Sequence, residues 1–420
     1  MRAARVRPTH ALPARRRRLR AGLAQLLGAL AGFGLGLLVP RATAGPTVPA
    51  RPTAELLLGL GLGVLGAVTV VFSLLFLVLQ WAATTFTPRL TLFRDAPIVW
   101  RTFAFSVGLA VFGVTAAMAI GNRTDVSVVV PAVTLLLLLA MLVLLRTLQL
   151  KAFAAIQLAP VLDSVAVRGR AVLATLYAAP PPEPSDPAAG PERWSTVRWP
   201  GPPVALQQVD ADRLVAAARA AGGVLVLRAL PGATLRRGAP VADLRGAAGA
   251  GPPDTAGLDA AVLAGLRTGQ ERTFDQDPLL AFRLLADIAL RALSPAVNDP
   301  ATAVQALEDL EDLLGLAVHG PARVLRFTDA ERALRLVVPL PTAEEFLRTG
   351  LDEVIVAAAR SPMVLDRLRA LLRRLAAAAD PALTALLAPR SARVAAQQAR
   401  LPAVGDPDGP ASPAAGEAGG

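Results

Sequence analysis

The sequence predicts a membrane all-α unit of four transmembrane helices followed by an α+β cytoplasmic domain. Three observations predict it. Four stretches, 21–39, 56–88, 102–122 and 126–145, carry no charged residue, and each exceeds the ~18 apolar residues that a bilayer core demands. Charged residues make up only 18% of the 420-residue chain, where a soluble domain carries roughly a quarter. Beyond residue 150 the pattern changes to turns, short apolar runs and amphipathic periods, the marks of a water-solvated domain.

The elements follow in chain order. Residues 1–20 form a basic arm with eight arginines and no acid, so the net charge of +11 is mostly local to it. A basic arm before a hydrophobic span is a topology signal, and no nucleic-acid partner is expected. Arg89, Arg94 and Arg101 follow the second span, and Arg146 and Lys151 follow the fourth. The opposite loops hold only Arg41, Arg51 and Arg123. That asymmetry places both termini in the cytoplasm of a multi-pass protein of the inner (plasma) membrane. Residues 1–44 also read as a secretory signal ending in Ala42-Thr43-Ala44. Their apolar stretch is longer than the ~7–15 residues usual for such a signal, which favours a retained helix.

Residues 21–150 are the transmembrane domain, and 151–205 a connecting segment with a Pro-rich linker from 178. The cytoplasmic domain covers 206–401, and a disordered tail covers 402–420. Within that domain, Asp212–Ala221 reads as a short helix, and Val224–Arg228 and Leu334–Leu340 as strands. Pro231-Gly232 is a turn, and longer helices fall at 278–293, 301–316, 343–359 and 362–378.

Two constellations stand out. On the second span, Thr69, Ser73, Gln80, Thr84 and Thr87 fall within an arc of about 60° at 100° per residue, beside Gly59, Gly63 and Gly66. In hydrocarbon such a stripe must face protein or water rather than lipid. It reads as glue between helices or, more sharply, as the lining of a polar pathway. Gly28, Gly32 and Gly36 make a similar small-residue ridge on the first span. In the soluble part, Asp277-Pro278 and Asn298-Asp299-Pro300 each place Asp at a helix N-cap with Pro at the first helical position. Arg283, Asp287 and Arg291 form an i, i+4, i+8 ladder on the first of these helices. With Asn298 and Asp299 it reads as an intrasubunit ion network or as an anion or partner site.

Much chemistry is excluded. The chain has no cysteine and two histidines, His10 and His319, so thiol chemistry and imidazole metal sites are not expected. Gly61, Gly63 and Gly66 match a dinucleotide fingerprint but lie inside a hydrophobic span, where that fold cannot form. No charged residue lies within a span, which argues against ion-coupled transport while leaving a passive pore open. No catalytic motif is present, and neither enzymatic activity nor a cofactor is expected.

Two segments are similar to a known family. One runs Phe72-Ser73, Leu79-Gln80-Trp81-Ala82 and Phe86-Thr87-Pro88-Arg89-Leu90 to Phe93 and Asp95. The other is Glu271-Arg272-Thr273-Phe274-Asp275-Gln276-Asp277-Pro278, continuing through Arg283 and Asp287 to Asn298-Asp299-Pro300. Both resemble the bacterial predicted membrane proteins catalogued as domain of unknown function 2254. Gln208-Val209-Asp210 and Pro231-Gly232-Ala233-Thr234-Leu235 resemble that family's strand and turn elements. The resemblance implies an integral membrane protein with a cytoplasmic domain, and it implies no reaction. The leading expectation is a homo-oligomeric, channel-like element in the lipid bilayer with a cytoplasmic regulatory domain. The alternative is a membrane-tethered scaffold or sensor that binds a cytoplasmic partner protein or small anion.

Overall fold

The computed structural model describes residues 14–85, 97–156, 158–177, 192–246, 257–318 and 324–401. Most of the basic arm, Thr87, the Pro-rich stretch at 178–191, His319 and the tail from 402 lie outside the described residues. So do the side chains of Gln80 and Thr84. The chain divides into two compact units, Met1–Val167 and Arg168–Gly420.

The first unit is built on α1 (Ala14–Leu38), α2 (Ala50–Thr85), α3 (Pro97–Ile120) and α4 (Val129–Ile156). Residues 22–41, 50–77, 98–120 and 129–153 are each long and apolar enough to cross a membrane. Small residues set how these helices pack. A Cβ on Gly28 would lie 2.6 Å from the Ala104 carbonyl oxygen, and one on Gly32 would collide with the Gly108 carbonyl. One on Gly36 would lie 2.7 Å from Thr115. The ridge on α1 therefore meets α3 backbone to backbone, with residue numbers rising together, so the two helices run in the same direction. Between α2 and α3 the order reverses: a Cβ on Gly113 would lie 2.7 Å from the Leu57 carbonyl, and one on Gly61 3.1 Å from that of Ala110. At the far end of α1 and α3, β1 (Thr47–Pro49) pairs antiparallel with β2 (Asp125–Ser127). Arg123 donates to the Pro40 carbonyl at 2.6 Å beside it. The two loops opposite the arm thus form one cap, and Leu57, Val68, Phe112, Ala116, Ile120, Val130 and Met141 fill the core beneath.

The boundary between the units falls within α5 (Leu158–Leu176). The second unit then lays down β3 (Glu192–Arg198), β4 (Val204–Val209), α6 (Ala211–Ala220), β5 (Val224–Leu227), β6 (Thr234–Leu235) and β7 (Pro240–Gly246). Next come α7 (Leu258–Ala264), β8 (Leu266–Gly269), α8 (Leu280–Ala292), α9 (Pro300–Ala317), β9 (Val324–Thr328) and β10 (Leu334–Pro339). A five-stranded sheet has the order β3-β7-β5-β10-β9, and a three-stranded sheet the order β6-β4-β8. Among the described residues only the β5–β10 pair is parallel. Leu206, Leu214, Leu225, Leu227, Leu244 and Leu336 make the dry centre of this α+β layer.

One of the expected helices is interrupted. The helix expected at 343–359 is α10 (Ala343–Leu347) and α11 (Glu353–Ala357) joined by a π turn at Arg348–Asp352. It is followed by α12 (Pro362–Ala377) and α13 (Pro381–Gln398). α8 and α12 pack on α9, and the Phe346 ring lies tilted against that of Phe282 with centroids 4.8 Å apart.

Three departures from the sequence reading have physical causes. Residues 192–198, inside the expected linker, form β3, because their partner β7 covers them along the whole strand. α13 follows the same Asp-Pro device as α9, with Asp380 accepting from the Leu383 N–H at 2.7 Å. α8 begins at Leu280, later than expected, although the Asp277 carboxylate still accepts from the Leu279 N–H at its entry. The same carboxylate is also held by a guanidinium.

Candidate functional site

Two places in the chain concentrate the residues picked out by the sequence, one in each unit. In the first, α2 buries Ala50, Thr53, Leu57, Gly61 and Val68 against its neighbours. The opposite face is open. Gly59, Gly63 and Gly66 have no heavy atom within 4 Å of a Cβ, and Thr69 and Ser73 are exposed. The Thr69 hydroxyl donates to the Leu65 carbonyl at 2.8 Å, and that of Ser73 to the Thr69 carbonyl at 2.9 Å. These two hydroxyls are therefore satisfied within the helix, and the described part of the open face is small-sided. Gln80 and Thr84 continue α2, while Thr87 lies outside the described residues.

In the second unit, three motifs that are distant in sequence converge. The Gln276 amide accepts from the Val209 N–H at 2.9 Å and donates to the Val209 carbonyl at 3.2 Å, stitching 271–278 to the end of β4. Gln207 donates to the Glu271 carbonyl at 2.7 Å. Arg272 grips Asp277 in a two-pronged pair at 2.6 and 2.9 Å, and Asp277 is only 1% exposed. Asp277 also accepts from the Leu279 N–H at 3.1 Å. Gly232, in the predicted turn at φ +94°, faces that carboxylate, and any Cβ there would collide with it. Burial pushes the Asp277 carboxyl up, with the hydrogen bond and charge of Arg272 pulling the other way. Arg168, on α5, lies 5.5 Å over the Phe274 ring. The convergence ties β4, the turn at Gly232 and the start of α8 together as a latch.

The polar ladder splits. Arg283 pairs with Asp287 at 2.7 Å and with Glu353 of α11 at 3.0 Å. Arg291 forms no ion pair among the described residues, and its Nε is buried without a hydrogen-bond partner there. Asn298 takes a left-handed φ of 48°, and Asp299 caps α9 by accepting from the Thr302 N–H at 3.1 Å. The hydrogen bonds from Thr302 hold the Asp299 carboxyl below its ordinary range. The acidic run on α9 pairs outward across helices: Asp312 accepts from Arg170 at 2.6 Å, and Glu311 from Arg367 and Arg374 of α12. A further cluster was invisible in the sequence. Arg390, 8% exposed, is held by Glu344 and Asp352, which the π turn aims at it, and by the Leu386 carbonyl. All of its N–H donors are used, so it clamps α13 in place.

Glu311 gives the second unit a defined acid response. Burial pushes its carboxyl up, but the hydrogen bonds and charges of Arg374 and Arg367 outweigh burial and hold it below 4.5. A carboxyl depressed in the folded state contributes stability above its unfolded pKa and loses it as pH falls through the folded one. Glu311→Gln is therefore expected to lower the thermal midpoint of the chain at pH 7 and to lower it less at pH 3. Equal losses at both pH values would refute the pairing.

Among the described residues no three His, Asp or Glu side chains gather as a metal site. No solved structure matches the chain. Uncharacterized proteins of Mycobacterium tuberculosis and Mycobacterium bovis are each 30% identical to it over 344 residues, 73% of this chain. The chain spans 60% of the length of these curated relatives. The family described as predicted membrane protein (DUF2254) matches residues 20–374, a stretch holding all four apolar helices and the latch at Arg272–Asp277, and the chain belongs to that family.

Proposed function

We propose that the chain is a multi-pass protein of the inner (plasma) membrane with both termini cytoplasmic. Its four spans self-associate through the open face of α2 into a channel-like element, and the second unit regulates it from the cytoplasm. One observation carries the reading. Gly28, Gly32, Gly36, Gly61 and Gly113 are all filled by a neighbouring helix, whereas Gly59, Gly63 and Gly66 line up beside empty space. In lipid, helices associate by close packing of small residues, and a second copy of α2 supplies the contact that this chain alone leaves unmade. The hydroxyls of Thr69 and Ser73, with Gln80 beyond them, continue that face as the polar lining.

Because the chain has no cysteine, single introduced thiols report the contact cleanly. Gly63→Cys and Gly66→Cys are expected to give disulfide-linked dimers in oxidised native membranes, and Leu139→Cys, exposed on α4, is expected not to. Monomers at both glycine positions would overturn the self-association. In proteoliposomes, a conductance left unchanged by Ser73→Val with Gln80→Leu would remove the pore while leaving the dimer.

A further inference from the structure

A groove of about 310 Å³ runs along the crossing of α1 and α3. Its floor is small-sided, from Ala24, Gly28, Ala31 and Gly32 of α1 and from Ala104 and Gly108 of α3. Phe105 and Phe112 wall it, and Arg101 is the one charged residue on its lining. Arg101 is exposed and forms no ion pair among the described residues. It sits in the first turns of α3 next to Trp100, which is 42% exposed. A guanidinium beside a half-exposed indole at the end of an apolar helix is the pattern of a headgroup-level anchor.

The dimensions select the ligand. From Arg101 to Phe112 the groove follows eleven residues of α3, about 16 Å at ~1.5 Å per residue. Half of a bilayer's ~30 Å hydrocarbon core is about the same length. We infer that this groove holds one acyl chain of an anionic phospholipid whose phosphate pairs with Arg101. The assignment rests only on the membrane reading above, not on the pore. Its chemistry is complementary throughout: methylenes against Ala, Gly and Phe, and a phosphate against an arginine that spreads its donors in a planar fork. Basic pockets between spans on the cytoplasmic side hold anionic headgroups in this way. The arginines placed at this end of α3 by the sequence agree with that side.

The test uses the full chain purified from membranes in mild detergent, with native mass spectrometry reading bound lipid. Phosphatidylglycerol is expected to remain bound as a single adduct, and phosphatidylcholine with the same chains to bind more weakly. Arg101→Gln is expected to weaken phosphatidylglycerol binding by about tenfold or more, the loss of one charge-assisted contact. Arg146→Gln, exposed on α4, is expected to leave it unchanged. Ala31→Phe, which fills an exposed part of the groove, is expected to remove the adduct without unfolding the helices. Wild-type binding in both Arg101→Gln and Ala31→Phe overturns the groove, as does a second copy found filling it in place of lipid. Displacement of the lipid by inorganic phosphate alone overturns the acyl chain. If the chain fractionates with membranes while these results fail, only the groove is lost. If it fractionates as soluble material, the membrane reading falls with it.

Discussion

Gly32→Leu is expected to abolish the folded first unit. The space beside the Gly32 Cα is occupied by the carbonyl of Gly108 on α3, a backbone atom that cannot rotate aside. A Cβ there forces the two helices apart, and separation undoes the neighbouring contacts of Gly28 with Ala104 and of Gly36 with Thr115. Overpacking a side-chain core costs about 1–3 kcal/mol because neighbours relax. Here the neighbour is a helix backbone, so the loss should exceed that range, and even Gly32→Ala should be felt. Gly34, one residue pair along the same helix, has nothing within 4 Å, and Gly34→Leu should be neutral. Size-exclusion profile and thermal midpoint in detergent read the difference. Equal behaviour of the Gly32 and Gly34 variants would sink the α1–α3 crossing described here.

That pair of glycines shows what the sequence disclosed and what it withheld. Spacing made Gly28, Gly32 and Gly36 a ridge but could not separate close packing from a glycine-rich composition, since Gly34, Gly59 and Gly63 are equally abundant and meet nothing. Only the register between α1 and α3 decides, and register is a property of two helices. The long uncharged runs were legible because exclusion of charge over 18 or more residues has few other causes. In the second unit the strong apolar strands were readable from their own residues. β3 was not, because Arg193-Trp194-Ser195-Thr196 becomes a strand only when β7 pairs with it.

The Asp-Pro dipeptides make the same point at atomic scale. Asp277-Pro278, Asp299-Pro300 and Asp380-Pro381 are alike in sequence. Two of them cap helices, with Asp299 accepting from the Thr302 N–H and Asp380 from the Leu383 N–H. The third also accepts from an N–H at the helix entry, that of Leu279, but shares its carboxylate with Arg272, five residues before it, and the helix starts later. A local rule is modified where a charged neighbour offers the carboxylate a second, charge-assisted partner. The ladder divides for a similar reason: Arg283 finds Glu353, some seventy residues on, a partner that helix spacing cannot reveal.

Capture of Asp277 carries the other large expected effect. Asp277→Ala leaves the Arg272 guanidinium, 31% exposed, without its partner and the Leu279 N–H without an acceptor, and an unmet buried polar group costs about 1–3 kcal/mol. Gly232→Ala alone is also expected to be severe, since φ +94° disfavours a side chain and the new methyl meets the carboxylate. The two losses should not add. Removing the carboxylate vacates the space that the methyl needs, so the double variant should be more stable than the sum of singles predicts by about 1 kcal/mol or more. Arg272→Ala combined with Asp277→Ala should likewise recover part of the loss, because no unpaired charge remains. Denaturant unfolding of the purified chain measures all four variants, with the near-ultraviolet signal of the tryptophans of the second unit as the probe. Strict additivity between Gly232 and Asp277 would mean that the turn and the carboxylate do not touch, and the latch that joins β4, the turn and α8 would have to be redrawn.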